Sequence, residues 1–91
     1  MNEVTMYTVP VCPYCKKAEE LLSQLGIQQI HKIDVAGDST QLAAMLALTK
    51  QRTVPQIFIG ATYVGGYDQL RALHEAGTLV ELLATAQPVS E

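Results

Sequence analysis

The stretch Val4-Thr5-Met6-Tyr7-Thr8 is dense in β-branched and aromatic residues and reads as a strand. Pro10 stops it, and Pro13 suits the first position of a helix, where a missing N–H does no harm. Ala18, Leu21, Leu22 and Leu25 then recur at helical spacing up to Gly26, which predicts a helix over about 13–25. Ile27 to Val35 is the second expected strand, with apolar Ile30, Ile33 and Val35. Such a β-α-β unit restricts the topology to a parallel strand pair joined by a right-handed crossover.

The remaining chain adds to that unit. Gly37-Asp38-Ser39 is a turn rich in helix-capping residues, and Leu42, Met45 and Leu46 mark a second helix ending near Thr49. Gln56-Ile57-Phe58-Ile59 and Thr62-Tyr63-Val64 read as strands, with Gly60-Ala61 as a two-residue hairpin turn between them. Gly65-Gly66 opens a third helix carrying Leu70, Leu73 and Ala76. Gly77-Thr78 breaks it before a short fourth helix at Leu79-Val80-Glu81-Leu82-Leu83. The order β-α-β-α-β-β-α-α predicts an α/β fold, a four-stranded mixed sheet flanked by helices. With 91 residues, one domain over 1–86 is expected, followed by a disordered tail at 87–91. A chain of this size buries roughly 60–70% of its unfolded surface, enough for a core without a staple.

The two cysteines lie in one motif, Cys12-Pro13-Tyr14-Cys15, at the joint between first strand and first helix. A disulfide there would close almost no loop, so it offers little structural gain. The pair reads instead as a dithiol in a reducing compartment. Cys12 falls at the N-cap, where unpaired N–H groups and the helix dipole favour an anion. The thiolate is the attacking form, so Cys12 is the expected nucleophile. Cys15 lies deeper along the helix and is the expected resolving thiol.

Other classes are poorly served by the sequence. The net charge of −3 and the scattered Lys and Arg residues give no basis for nucleic-acid binding. No apolar run approaches the ~18–20 residues of a membrane helix. The N-terminus has no charged segment followed by an apolar one, so a soluble, unexported, cytoplasmic chain is expected. A zinc site needs about four ligands, and His31 and His74 have no paired spacing, so no metal is expected.

These residues resemble the glutaredoxin family, specifically the small bacterial dithiol type. The resemblance spans about residues 3 to 84. It rests on Tyr7-Thr8, the Cys12–Cys15 motif, Arg52-Thr53-Val54-Pro55-Gln56-Ile57-Phe58-Ile59-Gly60 and Gly65-Gly66-Tyr67-Asp68 in that order. It implies a thioredoxin-like fold and use of glutathione as reducing co-substrate. It further implies a cis Pro55 beside the cysteines and glutathione held through the backbone of Val54, in the manner of an added strand. Tyr67 and Asp68 N–H groups behind Gly66 would take the γ-glutamyl carboxylate. The Asp68 side chain would cap the helix or meet the ammonium. Gln51 and Arg52 fall where the glycyl carboxylate would lie, Thr53 counts among the glutathione-binding residues, and Tyr14 would line the sulfur groove. Lys16 is placed to help the thiolate or to be solvated.

One position departs from the family pattern. Val9 stands where many glutaredoxins carry a lysine near the thiolate. More of the anion's stabilisation then falls on the helix terminus, Arg52 and Lys16. The implied activity is reduction of protein disulfides and of glutathione mixed disulfides by a monomer. Its clients would be disulfide-containing or glutathionylated proteins, ribonucleotide reductase among the candidates. Three alternatives stay open on sequence: regeneration by thioredoxin reductase, a cluster shared between two chains through Cys12 and glutathione, and a purely structural module.

Overall fold

The computed structural model describes residues 3–84. The elements are β1 (Val4–Thr8), α1 (Pro13–Gln24), β2 (Ile30–Asp34), α2 (Ser39–Thr49), β3 (Gln56–Ile59), β4 (Thr62–Gly65), α3 (Tyr67–Glu75) and α4 (Thr78–Ala84). The four strands form one sheet in the order β2-β1-β3-β4. β1 pairs parallel with β2, with Val4 opposite Ile30 and Thr8 opposite Asp34. β1 pairs antiparallel with β3, and β3 with β4. The expected element order and mixed sheet are both present. The expected domain end at 86 and the tail at 87–91 lie outside the described residues.

Strand alternation splits the core between the two faces of the sheet. Val4 and Met6 of β1 and Ile57 and Ile59 of β3 meet Ala18, Leu21 and Leu22 of α1, Leu70 of α3, and Leu79 and Leu83 of α4. Tyr7 points the other way and joins Val35 and Met45 of α2, with Leu42 and Phe58 packed against them. Even the edge strand β2 serves both sides, Ile30 packing on the first cluster and Ile33 on the second. Leu22, Ile57 and Leu70 are fully buried, each contributing about 1.5–3 kcal/mol relative to exposure.

The second strand is shorter than its apolar run. Ile27 is buried in the first cluster, but it belongs to the end of α1. Its N–H donates to the Leu22 carbonyl at 3.0 Å, and the Gly26 N–H donates to Ser23 at 3.0 Å. This closure needs Gly26 at φ 91°, a left-handed conformation suited to glycine. The chain reaches β1 and begins to pair only at Ile30. The third helix also stops before its expected end, with Ala76 as an exposed C-cap rather than a core residue.

Caps and turns fix the other joints. The Asp38 carboxylate accepts from the Gln41 N–H at 3.1 Å at the start of α2. Gly60 and Ala61 link β3 to β4, as Ile59 pairs with Thr62. The ladder then skips Val64, so that Gly65 pairs with Ile57 while Tyr63 pairs with Phe58. That bulge turns the chain toward α3. No helix among the described residues is long and apolar enough to cross a membrane.

Candidate active site

β1 delivers the chain to the N-terminus of α1, and the first turn of that helix organises both sulfurs. Cys12 is the N-cap, with an extended backbone at φ −146° and ψ 102°. Pro13 follows at the first helical position and has no N–H to satisfy. The Cys12 sulfur accepts a hydrogen bond from the Cys15 N–H at 3.2 Å. It thus stands where a serine or aspartate oxygen commonly caps a helix. The same sulfur lies 3.9 Å from the Val54 carbonyl, to which its S–H can donate. Both cysteines are reduced.

The pair is asymmetric, as the helix position implies. Cys12 retains 8% exposure and Cys15 2%. Burial, and after it the hydrogen bond with Cys12, push the Cys15 thiol up to about 11 against opposing contacts with Thr8 and Val9. Cys15 therefore stays protonated at neutral pH. Beside the pair, Val11 is 88% exposed and Tyr14 56% exposed.

A cleft of about 270 Å³ opens beside the dithiol. It is lined by Tyr14, Thr53, Val54, Pro55, Gly66, Tyr67, Asp68 and Gln69. Seven of these eight were expected from sequence. The Val54–Pro55 peptide is cis, as the resemblance implies. Tyr14 and Tyr67 face each other at 6.1 Å between ring centroids. Lys17 lies over the Tyr14 ring at 5.3 Å, a cation–π contact on the exposed rim.

One expectation needs correction. Asp68 does not cap α3; the Gln69 side chain does, accepting from the Gly66 N–H at 2.9 Å. Gln69 reaches back over Gly65, whose φ of 114° would strain any other residue and whose added Cβ would crowd the Gln69 side chain at 3.1 Å. A glutamine three residues after a helix N-cap is a readable signal for this arrangement. The Asp68 carboxylate is consequently exposed in the first turn and available to a cation. Gln51 and Arg52 are exposed but do not line the cleft. They follow Lys50, and the Gln51 N–H is tied to the Thr49 hydroxyl at 3.0 Å.

On the other side of the dithiol, Lys16 and Val9 join Thr8, Pro10 and both cysteines in a broad groove along α1 and β2. Val9 is half-buried and packs against both core clusters, a role a lysine would fill only with its stem. No group of three or more His, Cys, Asp or Glu side chains among the described residues is placed to hold a metal ion. Sequence reasoning missed Gln56 and Tyr63. Gln56 is a glutamine 3% exposed inside an apolar strand.

A four-stranded mixed sheet with a dithiol at the first helix and a cis proline beside it defines a thiol–disulfide oxidoreductase of the thioredoxin-like fold. A family model described as Glutaredoxin matches residues 4–64. The chain belongs to the glutaredoxin family. A glutaredoxin of Neisseria meningitidis is 48% identical over 83 residues, covering 91% of this chain and 98% of that one. The solution structure of a Brucella melitensis glutaredoxin superposes with TM-score 0.81 at 40% identity, covering 98% and 96% of the two chains. A buckwheat glutaredoxin–glutathione complex gives TM-score 0.81 at 34% identity, covering 90% of this chain and 76% of that one.

Proposed function

We propose that this protein reduces glutathione mixed disulfides and protein disulfides, with glutathione as the reductant. The observation that carries the reading is the Cys12 sulfur beside the Val54 carbonyl, at the edge of a cleft that ends at the α3 N-terminus. That cleft suits an extended, peptide-like ligand with a sulfur at its middle and a carboxylate at one end. The Val54 backbone offers strand-like pairing to the cysteinyl part. The Tyr67 and Asp68 N–H groups at the start of α3 suit the γ-glutamyl carboxylate, and the exposed Asp68 carboxylate suits its ammonium. Arg52 and Gln51, exposed outside the cleft, are left for the glycyl end.

The chemistry is thiolate exchange. The Cys12 thiolate attacks the glutathione sulfur of a mixed disulfide. The S–S bond breaks, the client leaves as a thiolate and takes a proton, and Cys12 keeps the glutathionyl group. A second glutathione thiolate attacks that group, releasing glutathione disulfide and the Cys12 thiolate. With a protein disulfide, Cys12 first forms a mixed disulfide with the client. Cys15 then attacks the Cys12 sulfur, the client leaves as a dithiol, and two glutathiones reduce the Cys12–Cys15 bond.

A glutathione-coupled turnover assay tests this. Cys12→Ser abolishes turnover of both substrate types. Cys15→Ser retains removal of glutathione from a mixed disulfide and loses reduction of protein disulfides. Turnover that survives Cys12→Ser, or wild type that ignores glutathionylated substrate, contradicts the reading.

A further inference from the structure

Gln56 is the most buried polar side chain of the sheet and both ends of its amide are engaged. Its Nε2 donates to the Thr53 carbonyl at 2.9 Å and to the Thr53 hydroxyl at 3.3 Å. Its Oε1 accepts from the Tyr63 hydroxyl on the neighbouring strand. The amide can take only one orientation here. A carbonyl oxygen never donates, so the NH₂ end must face Thr53. The Tyr63 ring is in turn held by Phe58 at 5.1 Å between centroids, and Phe58 by Tyr7 at 6.2 Å. An aromatic row across three strands thus fixes the hydroxyl that fixes the amide.

The consequence falls on the next residue. In a trans peptide the C=O and the following N–H point in opposite directions. Drawing the Thr53 carbonyl toward Gln56 therefore turns the Val54 N–H away from Gln56. Thr53, Val54 and Pro55 all line the cleft, and the Val54 carbonyl meets the Cys12 sulfur. We infer that Gln56 and Tyr63 are positioning residues that set the Thr53–Val54 peptide, and thereby select disulfides carrying a peptide backbone beside the attacked sulfur. This deepens, and rests on, the glutathione reading above. Neither side chain lines the cleft, so neither acts by touching substrate.

Selectivity separates this role from a merely structural one. 2-Mercaptoethanol, which carries no peptide backbone, is prepared as two mixed disulfides, with glutathione and with cysteamine, which likewise has the thiol but no peptide backbone. The kcat/KM ratio between them is measured for wild type, Tyr63→Phe and Gln56→Met. Tyr63→Phe keeps the ring on Phe58 and loses only the hydroxyl. The preference for the glutathionyl substrate is expected to drop about threefold in Tyr63→Phe and about tenfold in Gln56→Met, with the loss in KM and the cysteamine substrate within about twofold of wild type. An unchanged ratio in both variants, or equal losses on both substrates, overturns the inference. A wild type that does not turn over the glutathionyl substrate overturns the glutathione reading and the inference with it. A wild type that does, beside variants that match it, overturns the inference alone.

Discussion

The buried resolving thiol makes a quantitative prediction about its own step. Cys15 is pushed from the ordinary 9.0 to about 11, with burial as the largest cause. Burial does not involve the Cys12 thiol, whereas the raising contacts with Cys12 do, so about 11 is the upper bound once Cys12 is tied up in a mixed disulfide, and this bound governs the rates below pH 10. At pH 7 about one Cys15 in ten thousand is then ionised, against about one in a hundred for an ordinary thiol. A thiolate whose parent thiol is two units weaker as an acid is also about tenfold more nucleophilic, on a Brønsted coefficient of about 0.45. The net result is attack about tenfold slower at neutral pH than by an unburied thiol of equal geometry. The rate should also climb about tenfold per pH unit up to pH 10 without levelling. The assay loads Cys12 with thionitrobenzoate and follows release of the coloured thiolate by stopped flow from pH 7 to 10. A rate that levels off near pH 9 would falsify the raised Cys15 value. Slow resolution also matters for function. It would leave a Cys12 mixed disulfide standing long enough for an external thiol to reach it, the route on which Cys15→Ser is expected to retain activity.

The same burial links stability to pH. The folded state holds the Cys15 proton more tightly than the unfolded chain, so this contribution is complete below pH 9 and is lost as pH rises through about 11. Wild type is expected to lose about 2–3 kcal/mol more than Cys15→Ala across that window in urea titrations, and parallel curves would contradict it. Leu22, fully buried between α1 and the sheet, should lower unfolding free energy by about 3 kcal/mol when changed to alanine, measured by chemical denaturation. Val9→Lys keeps its stem on the core and adds a cation in the groove shared with both cysteines. Alkylation of Cys12 at pH 6 should speed up by about two- to fivefold at low salt and lose that gain in 1 M salt. Equal rates in the two proteins at low salt would refute the electrostatic reading of position 9.

Local chemistry alone accounts for much of what the sequence made legible. Proline at 13, cysteine at the cap and leucines at helical spacing define α1 and the place of the dithiol on it. Alternation in Val4–Thr8 and Gln56–Ile59 likewise assigns each side chain to a face of the sheet. Such signals act within a few residues, where hydrogen-bond partners and periodicity are set by the chain itself. What required the fold was whatever joins residues distant in sequence. Ile27 looked like strand because apolarity does not say whether a residue closes a helix or pairs in a sheet; the bond to Leu22 decided it. Gln56 looked like an ordinary strand residue until Thr53 and Tyr63 met its amide from either side. The raised Cys15 thiol depends on burial by elements dozens of residues away, because desolvation is a property of the packed interior and not of any motif.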